Sequence, residues 1–139
     1  MKICVIGSNG QLGRHLFNKY KNNKNFFFFS SSLKKDPFLK GDLTKPKQLI
    51  FFLNKIKPIV IINCSAYTNV DQAELEKKKA SAINFKGVQI LSKYCFKNNI
   101  VLIHFSTDYV YSGKGNLAWK ETSVCNPINY YGYTKLKGE

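Results

Sequence analysis

A glycine-rich loop close to the N-terminus constrains the fold of this chain more than any other feature. The loop reads G-S-N-G-Q-L-G from Gly7 to Gly13, and a short apolar run, Lys2 to Ile6, precedes it. Gly7 permits a tight turn, Gly10 lets the backbone approach a pyrophosphate, and Gly13 lets a following helix pack on the strand. The spacing is G-x-x-G-x-x-G, so the prediction of a dinucleotide site depends equally on the loop's position between a strand and a helix N-terminus. The candidate cofactor-binding residues are Gly7, Asn9, Gly10, Gln11, Leu12 and Gly13.

Segments with strand and helix periodicity alternate along the rest of the chain. The predicted strands are residues 2–6, 26–29, 59–62 and 100–105. The predicted helices are residues 11–20, one capped by Thr44 with Pro46 in its first turn, a helical region at 71–98, and one beginning near Asn129. This alternation predicts an α/β fold, a Rossmann-like doubly wound parallel sheet with helices on both faces. We count four strands where such a domain usually has about six, so we expect residues 1–139 to form a truncated cofactor-binding domain without its substrate domain.

The residues after the second predicted strand bear on the choice of cofactor. The run from Ser30 to Lys35 contains serines and lysines, and no carboxylate occurs before Asp36. A carboxylate there would bind the 2′-hydroxyl of NADH, whereas cationic groups suit the 2′-phosphate of NADPH, so the pattern favours NADPH without excluding NADH. Ser30 is the candidate ribose contact. Asp42 and Leu43, in the string G-D-L-T, are candidates for the adenine edge, although the string also suits a turn that approaches a helix.

The third predicted strand ends in the string N-C-S-A-Y-T, Asn63 to Thr68. Ligands of open α/β sheets bind at the carboxyl ends of the strands, and small residues there leave room for a cofactor. Ala66, Tyr67 and Thr68 are therefore candidate cofactor contacts, with ordinary loop residues as the alternative.

A tyrosine and a lysine four residues apart, Tyr131 and Lys135, carry the candidate chemistry. On a helix the two side chains lie on one face, one turn apart. A neighbouring cation lowers the pKa of a phenol, which makes a proton donor for carbonyl reduction near neutral pH. Thr107 follows the fourth predicted strand at the same edge of the sheet, where a third catalytic group is needed. His104, inside that strand, is predicted to be a core histidine with satisfied hydrogen bonds.

Four strings together resemble the extended short-chain dehydrogenase/reductases, and within them the branch that reduces dTDP-4-keto-6-deoxy sugars. They are G-S-N-G-Q-L-G, N-C-S-A-Y-T-N-V-D-Q-A-E, S-T-D-Y-V-Y-S-G and N-P-I-N-Y-Y-G-Y-T-K-L-K-G-E, and they cover essentially the whole chain. The resemblance implies that Thr107, Tyr131 and Lys135 are the catalytic set, and that Tyr131 and Lys135 also bind the cofactor, with Lys135 holding the nicotinamide ribose. It also implies reduction of the C4 ketone of the dTDP-sugar with NADPH or NADH, completing dTDP-L-rhamnose synthesis, and a possible homodimer. Some members bind magnesium through a carboxylate at the position of His15, so no metal site is predicted.

The resemblance also leaves alternatives open. Members of the branch are roughly twice as long, so we expect this chain to be part of a longer reductase and to lack activity by itself. A related epimerase or dehydratase is one alternative. A non-catalytic regulatory subunit that keeps the dinucleotide fold, like the methionine adenosyltransferase beta subunit, is another.

The composition of the chain argues against nucleic-acid-binding, membrane and disulfide-linked proteins. The formal charge is +14, but the lysines are spread along the chain and only one arginine, Arg14, is present, so we expect no nucleic-acid partner. No apolar run is long enough to span a bilayer and no signal peptide is recognisable, so we expect a cytoplasmic protein without a membrane partner. The four cysteines have no C-x-x-C spacing, which predicts reduced, packed thiols.

Overall fold

One parallel sheet organises the protein, whose structure is a computed structural model that describes residues 1–31, 38–116 and 118–139. The strands are β1 Ile3–Ile6, β2 Phe26–Ser30, β3 Leu39–Lys40, β4 Val60–Asn63 and β5 Val101–His104. They follow the spatial order β3-β2-β1-β4-β5. The prediction of an α/β fold with a parallel sheet is confirmed.

The predicted number of four strands is wrong, because the described residues contain five. The missed strand, β3, is only two residues long and pairs with Phe29 and Ser30 of β2. Two residues cannot display the alternation by which a strand is recognised in a sequence.

Six α-helices connect and cover the strands within the described residues. The helices are α1 Gln11–Tyr20, α2 Pro46–Ile56, α3 Val70–Leu75, α4 Lys77–Ser81, α5 Val88–Lys97 and α6 Tyr130–Gly138. A π-helical segment, Ala82–Gly87, joins α4 to α5. The predicted helical region at 71–98 therefore consists of four consecutive segments, which are α3, α4, the π-helical segment and α5. A 3-10 turn, Asp108–Val110, follows β5.

The start of α2 differs from the prediction by one residue. Lys45 occupies the N-cap position and Pro46 is the first helical residue, where a missing N–H costs nothing. Thr44 does not cap the helix, because its hydroxyl donates a hydrogen bond of 2.7 Å to Asp42 Oδ1 instead.

Helices pack on both faces of the sheet, as predicted for a doubly wound fold. Alternate residues of β1 point to opposite faces. Cys4 and Ile6 are buried in one core with α2 and α5, which contribute Leu53 and Leu91. Val5 is buried in the other core with Phe28, against which α1 packs. Two apolar layers therefore hold the central strand and fix where its carboxyl end lies.

A smaller apolar cluster joins the last helix to the middle of the chain. Ala73 of α3 and Ala80 of α4 are fully buried, and both belong to a cluster with Tyr131 of α6. Asn129 caps α6, its Oδ1 accepting a hydrogen bond of 2.7 Å from Gly132 N. The beginning of α6 is thus positioned by α3 and α4.

Other features of the described residues bear on the predictions from composition. All four cysteines are free thiols, and Cys4 and Cys95 are buried. Among the helices of the described ranges, none combines the length and the apolar character that crossing a membrane requires.

Candidate cofactor and active site

A groove runs along the carboxyl ends of β1 and β4. It consists of a large cavity of about 650 Å³ and a small cavity of about 240 Å³. β2 and β3 lie on one side of β1 in the sheet, and β4 and β5 lie on its other side. The groove is therefore at the topological switch point between β1 and β4, which is where open α/β sheets bind ligands. The residues that line both cavities are Gly10, Cys64, Ser65 and Ala66.

The three glycines of the loop differ in what a side chain at each position would contact. Gly7 has φ +83°, and a Cβ there would lie 2.6 Å from Ser65 N. A Cβ on Gly13 would lie 2.2 Å from the Gly7 carbonyl oxygen, so α1 packs directly on the loop. A Cβ on Gly10 would meet only that oxygen, at 3.4 Å. Gly7 and Gly13 therefore shape the loop, whereas Gly10 leaves space in the groove for a ligand.

The other candidates in the loop also border the groove. Asn9 lines the small cavity, and Gln11 and Leu12, at the start of α1, line the large one. The N–H groups at the start of a helix favour an anion. The groove thus brings a helix N-terminus and an open glycine position together.

The small cavity lies beside the end of β2. Asp42 and Leu43 line it, and Asp42 Oδ1 accepts a hydrogen bond of 2.8 Å from Thr44 N, which shapes the turn. Ser30 is fully buried and does not line the cavity, whereas Ser31 does. Lys34, Lys35 and Asp36, on which the predicted choice of cofactor depends, lie outside the described residues.

Two of the three candidate residues in the loop after β4 line the groove. Ala66 and Thr68 line the large cavity. Tyr67 does not, because its hydroxyl donates a hydrogen bond of 2.7 Å to Glu76 Oε2. That bond to a carboxylate, together with desolvation, raises the pKa of Tyr67 to about 12. Tyr67 therefore belongs to the contact between the loop and α4.

Tyr131 and Lys135 both line the large cavity, which residues of the glycine loop also line. Both are nearly buried, with exposed fractions of 8% and 2%. The Lys135 ammonium donates a hydrogen bond to the carbonyl oxygen of Phe105, and burial lowers its pKa. The Tyr131 ring packs edge-on against Tyr109, with centroids 5.6 Å apart. The helical spacing of four residues therefore places a phenol and a cation in one cavity.

Thr107 is not among the residues that line the large cavity, although Phe105 and Ser106 are. Its Oγ1 accepts a hydrogen bond of 3.3 Å from Tyr109 N and donates one of 3.2 Å to Asp108 Oδ1. The structure thus brings Tyr131 and Lys135 together and directs the Thr107 hydroxyl into the following 3-10 turn.

Asn84, inside the π-helical segment, is a residue that the sequence analysis missed. It is 1% exposed. Its Oδ1 accepts from Tyr67 N at 2.8 Å, and its Nδ2 donates to the Tyr67 carbonyl at 3.0 Å and to Thr134 Oγ1 at 3.1 Å. One side chain therefore ties the loop after β4 to α6. An asparagine amid helical residues, where it is a poor helix former, was the available signal.

Replacing Asn84 with alanine is expected to lower the free energy of unfolding by about 2–4 kcal/mol, because buried polar groups on Tyr67 and Thr134 lose their partner. Asn54→Ala is the matched substitution at an exposed site, where Oδ1 accepts from the Tyr94 hydroxyl at 2.9 Å, and a loss of less than about 1 kcal/mol is expected. Urea denaturation followed by circular dichroism measures both. Equal losses in the two variants would contradict the role given to Asn84.

His104 is not the fully satisfied core histidine predicted from the sequence. Its Nδ1 lies 3.2 Å from Asn63 Nδ2, but its Nε2 is buried without a hydrogen-bond partner in the described part of the chain. Burial, together with the neighbouring Lys135, lowers the pKa of His104 to about 4, although Asn63 and Glu139 oppose the shift. The ring is therefore neutral near pH 7.

Stability is expected to fall as the pH drops from about 6.5 towards 4. In that range the unfolded chain protonates His104, with its ordinary pKa of 6.5, while the folded chain does not, so protonation favours unfolding. Urea midpoints measured at several pH values test this. His104→Asn, which removes the titrating ring, should flatten the profile in this range, and an unchanged slope would contradict the assignment.

His15 occupies the position at which some related reductases have a carboxylate that binds magnesium. His15 lines the large cavity. Across the described ranges, no three His, Cys, Asp or Glu side chains cluster in a way that could hold a metal ion.

The fold and the groove define the class of protein. A five-stranded parallel sheet, a glycine loop at its switch point and a Tyr–Lys pair on one helical face are typical of a dinucleotide-binding domain of the short-chain dehydrogenase/reductase type. The chain belongs to the family described as RmlD substrate binding domain, whose model matches residues 1–139.

Three proteins to which this chain is similar are named as dTDP-4-dehydrorhamnose reductases. The chain is 36% identical over 138 residues to a dTDP-4-dehydrorhamnose reductase of Aggregatibacter actinomycetemcomitans, covering 99% of this chain and 45% of that protein. It resembles the structure of a hypothetical dTDP-4-dehydrorhamnose reductase from Sulfolobus tokodaii, with TM-score 0.88, 39% identity and coverage of 99% and 50%. A dTDP-4-dehydrorhamnose reductase from Bacillus anthracis, solved in complex with NADP, gives TM-score 0.86, 33% identity and coverage of 99% and 48%. The chain thus spans about half the length of these relatives.

Proposed function

We propose that this chain forms the cofactor-binding half of an NADPH-dependent reductase of dTDP-4-keto-6-deoxy sugars, with dTDP-4-dehydrorhamnose as the substrate. The observation that carries the proposal is the presence of Tyr131 and Lys135 in the cavity that the glycine loop also lines. The names of the relatives support the substrate class, and the NADP complex of the Bacillus anthracis protein supports the cofactor.

The groove fits a dinucleotide in its chemistry. Gly10 has no side chain where the two cavities meet, and the N-terminus of α1 beside it favours the pyrophosphate. Asp42 and Leu43 would border the adenine, and Ala66 and Thr68 the neighbouring ribose and phosphates. When bound, NADPH supplies the hydride that adds to the carbonyl carbon of the sugar.

Tyr131 would donate the proton that completes the reduction. Hydride addition turns the ketone oxygen into an alkoxide, and the Tyr131 hydroxyl gives that oxygen its proton, so that one hydride and one proton yield the alcohol. The Lys135 ammonium donates a hydrogen bond to the Phe105 carbonyl oxygen and lines the same cavity, where it would place positive charge near the resulting phenolate. Burial of both groups keeps water from weakening that interaction.

Thr107 would stabilise the developing alkoxide through a hydrogen bond. For this its hydroxyl must redirect the hydrogen that it now donates to Asp108. Turning that hydrogen away from Asp108 requires a rotation about the Cβ–Oγ1 bond, during which the hydrogen bond that Oγ1 accepts from Tyr109 N can stay in place.

Two measurements test the proposal. A protein of the relatives' length should oxidise NADPH only when a dTDP-4-keto-6-deoxy sugar is supplied, as followed by the absorbance of NADPH. The 139-residue chain should bind NADPH, as followed by its fluorescence. Binding without oxidation in the longer protein would favour a non-catalytic regulatory role, and failure to bind would contradict the proposal.

A further inference from the structure

His104 is joined to the groove through one side chain, that of Asn63. The two residues are direct partners in the register between β4 and β5. Asn63 is 1% exposed and lines the large cavity, whereas His104 does not line it. The Asn63 Oδ1 accepts a hydrogen bond of 3.1 Å from Ser65 N, and Ser65 lines both cavities. Hydrogen bonds thus link β5 to the turn that forms the wall of the groove.

The chemistry of the donors fixes the direction of this chain of hydrogen bonds. A backbone N–H can only donate, so the Asn63 oxygen faces Ser65 and the Asn63 NH₂ group faces His104. The His104 Nδ1 must then accept, which places the proton of the neutral ring on Nε2. A protonated ring would set two donors against each other and break the link.

Within the described residues, the Nε2 of His104 is buried without a hydrogen-bond partner. Such an N–H costs stability, so the imidazole is a costly choice if it only fills space. A phenylalanine ring of similar size would avoid that cost, so the imidazole contributes the acceptor at Nδ1. That acceptor holds the Asn63 amide in the orientation that the turn at Ser65 requires.

We propose that His104 is a positioning residue for the dinucleotide, acting through Asn63 on the turn at Ser65. The inference rests on the proposed function, because it takes the groove to be the dinucleotide site. The turn at Ser65 is also the closest neighbour of Gly7, so its position sets the width of the groove beside the glycine loop. A turn released from Asn63 would loosen the wall that Ser65 gives to the large cavity, where the nicotinamide half of the cofactor would lie beside Tyr131.

The test compares two substitutions of His104 in the 139-residue chain. His104→Phe removes the acceptor and keeps a ring, and it is expected to weaken NADPH binding about tenfold, as for the loss of one ordinary hydrogen bond. His104→Asn places an amide oxygen where Nδ1 lies, and binding within about threefold of the unchanged chain is expected. Binding is measured by NADPH fluorescence, and 2′,5′-ADP, which lacks the nicotinamide half, is measured by calorimetry.

The two ligands separate positioning from a general loss of structure. Affinity for 2′,5′-ADP should fall less than affinity for NADPH in His104→Phe, because the small cavity is also lined by Asn9, Asp42 and Leu43, which are not part of the turn at Ser65. Equal losses for both ligands, or unchanged NADPH binding by His104→Phe, would overturn the inference. Failure of the unchanged chain to bind NADPH would instead contradict the proposed function, and this inference with it.

A measurement on the unchanged chain covers the case in which His104→Phe does not fold. The ¹⁵N shifts of the His104 ring at neutral pH should show a protonated Nε2 and an unprotonated Nδ1. The opposite tautomer would exclude the hydrogen bond from Asn63 and overturn the inference.

Discussion

Gly13→Ala is expected to destabilise the protein by about 3 kcal/mol or more and to abolish NADPH binding. The new methyl group would lie 2.2 Å from the Gly7 carbonyl oxygen and 2.7 Å from Ser8 Cα, and both are backbone atoms that cannot rotate away. The higher helix propensity of alanine is worth only about 1 kcal/mol, so the clash decides the sign. Urea denaturation and NADPH fluorescence measure the two effects.

Gly10→Ala provides the matched comparison three residues away. Its methyl group would meet a single atom, the Gly7 oxygen, at 3.4 Å. Stability should therefore change by less than about 1 kcal/mol, while NADPH binding should weaken because the methyl group occupies the groove. The interpretation of the loop fails if Gly13→Ala is as stable as Gly10→Ala.

Tyr131→Phe is expected to reduce kcat about 10²–10⁴-fold in a protein of the relatives' length, the range of a lost general acid. The substitution removes only the hydroxyl. The ring keeps its contacts with Tyr109 and with the cluster of Ala73 and Ala80, so the fold and the affinity for NADPH should be retained. Steady-state oxidation of NADPH with the dTDP-keto sugar gives kcat, and fluorescence titration gives the affinity.

Tyr133→Phe is the matched variant on the same helix. Tyr133 is 45% exposed and does not line the large cavity. The kcat of the Tyr133→Phe variant should therefore stay within about twofold of that of the unchanged protein. If Tyr131→Phe kept full turnover, another group would have to supply the proton and the proposed mechanism would be wrong.

The local elements could largely be predicted from the sequence. The predicted helix at 11–20 coincides with α1, and Asn129 marks the start of α6. These segments carry their own signals, since periodic apolar residues and capping side chains act within a few positions. The two-residue strand β3 and the π-helical segment carry no such signal, and both were missed.

The candidate site divides in the same way. Gly10, Tyr131 and Lys135 were predicted from their spacing, and the structure places all three along one groove. Tyr67 and Thr107 were also predicted, but their hydroxyls form hydrogen bonds outside the groove. Which way a loop side chain points depends on partners that lie far away in the chain, such as Glu76 for Tyr67.

By itself, the sequence determined the order of the elements, the glycine loop and the Tyr–Lys spacing, because each depends on interactions between near neighbours. Only the tertiary structure decided the hydrogen bonds that hold the groove. His104 and Asn63 are 41 residues apart, and Asn84 and Thr134 are 50 residues apart. A polar side chain buried between distant segments is satisfied only by what the fold brings to it, and no local pattern records that partner.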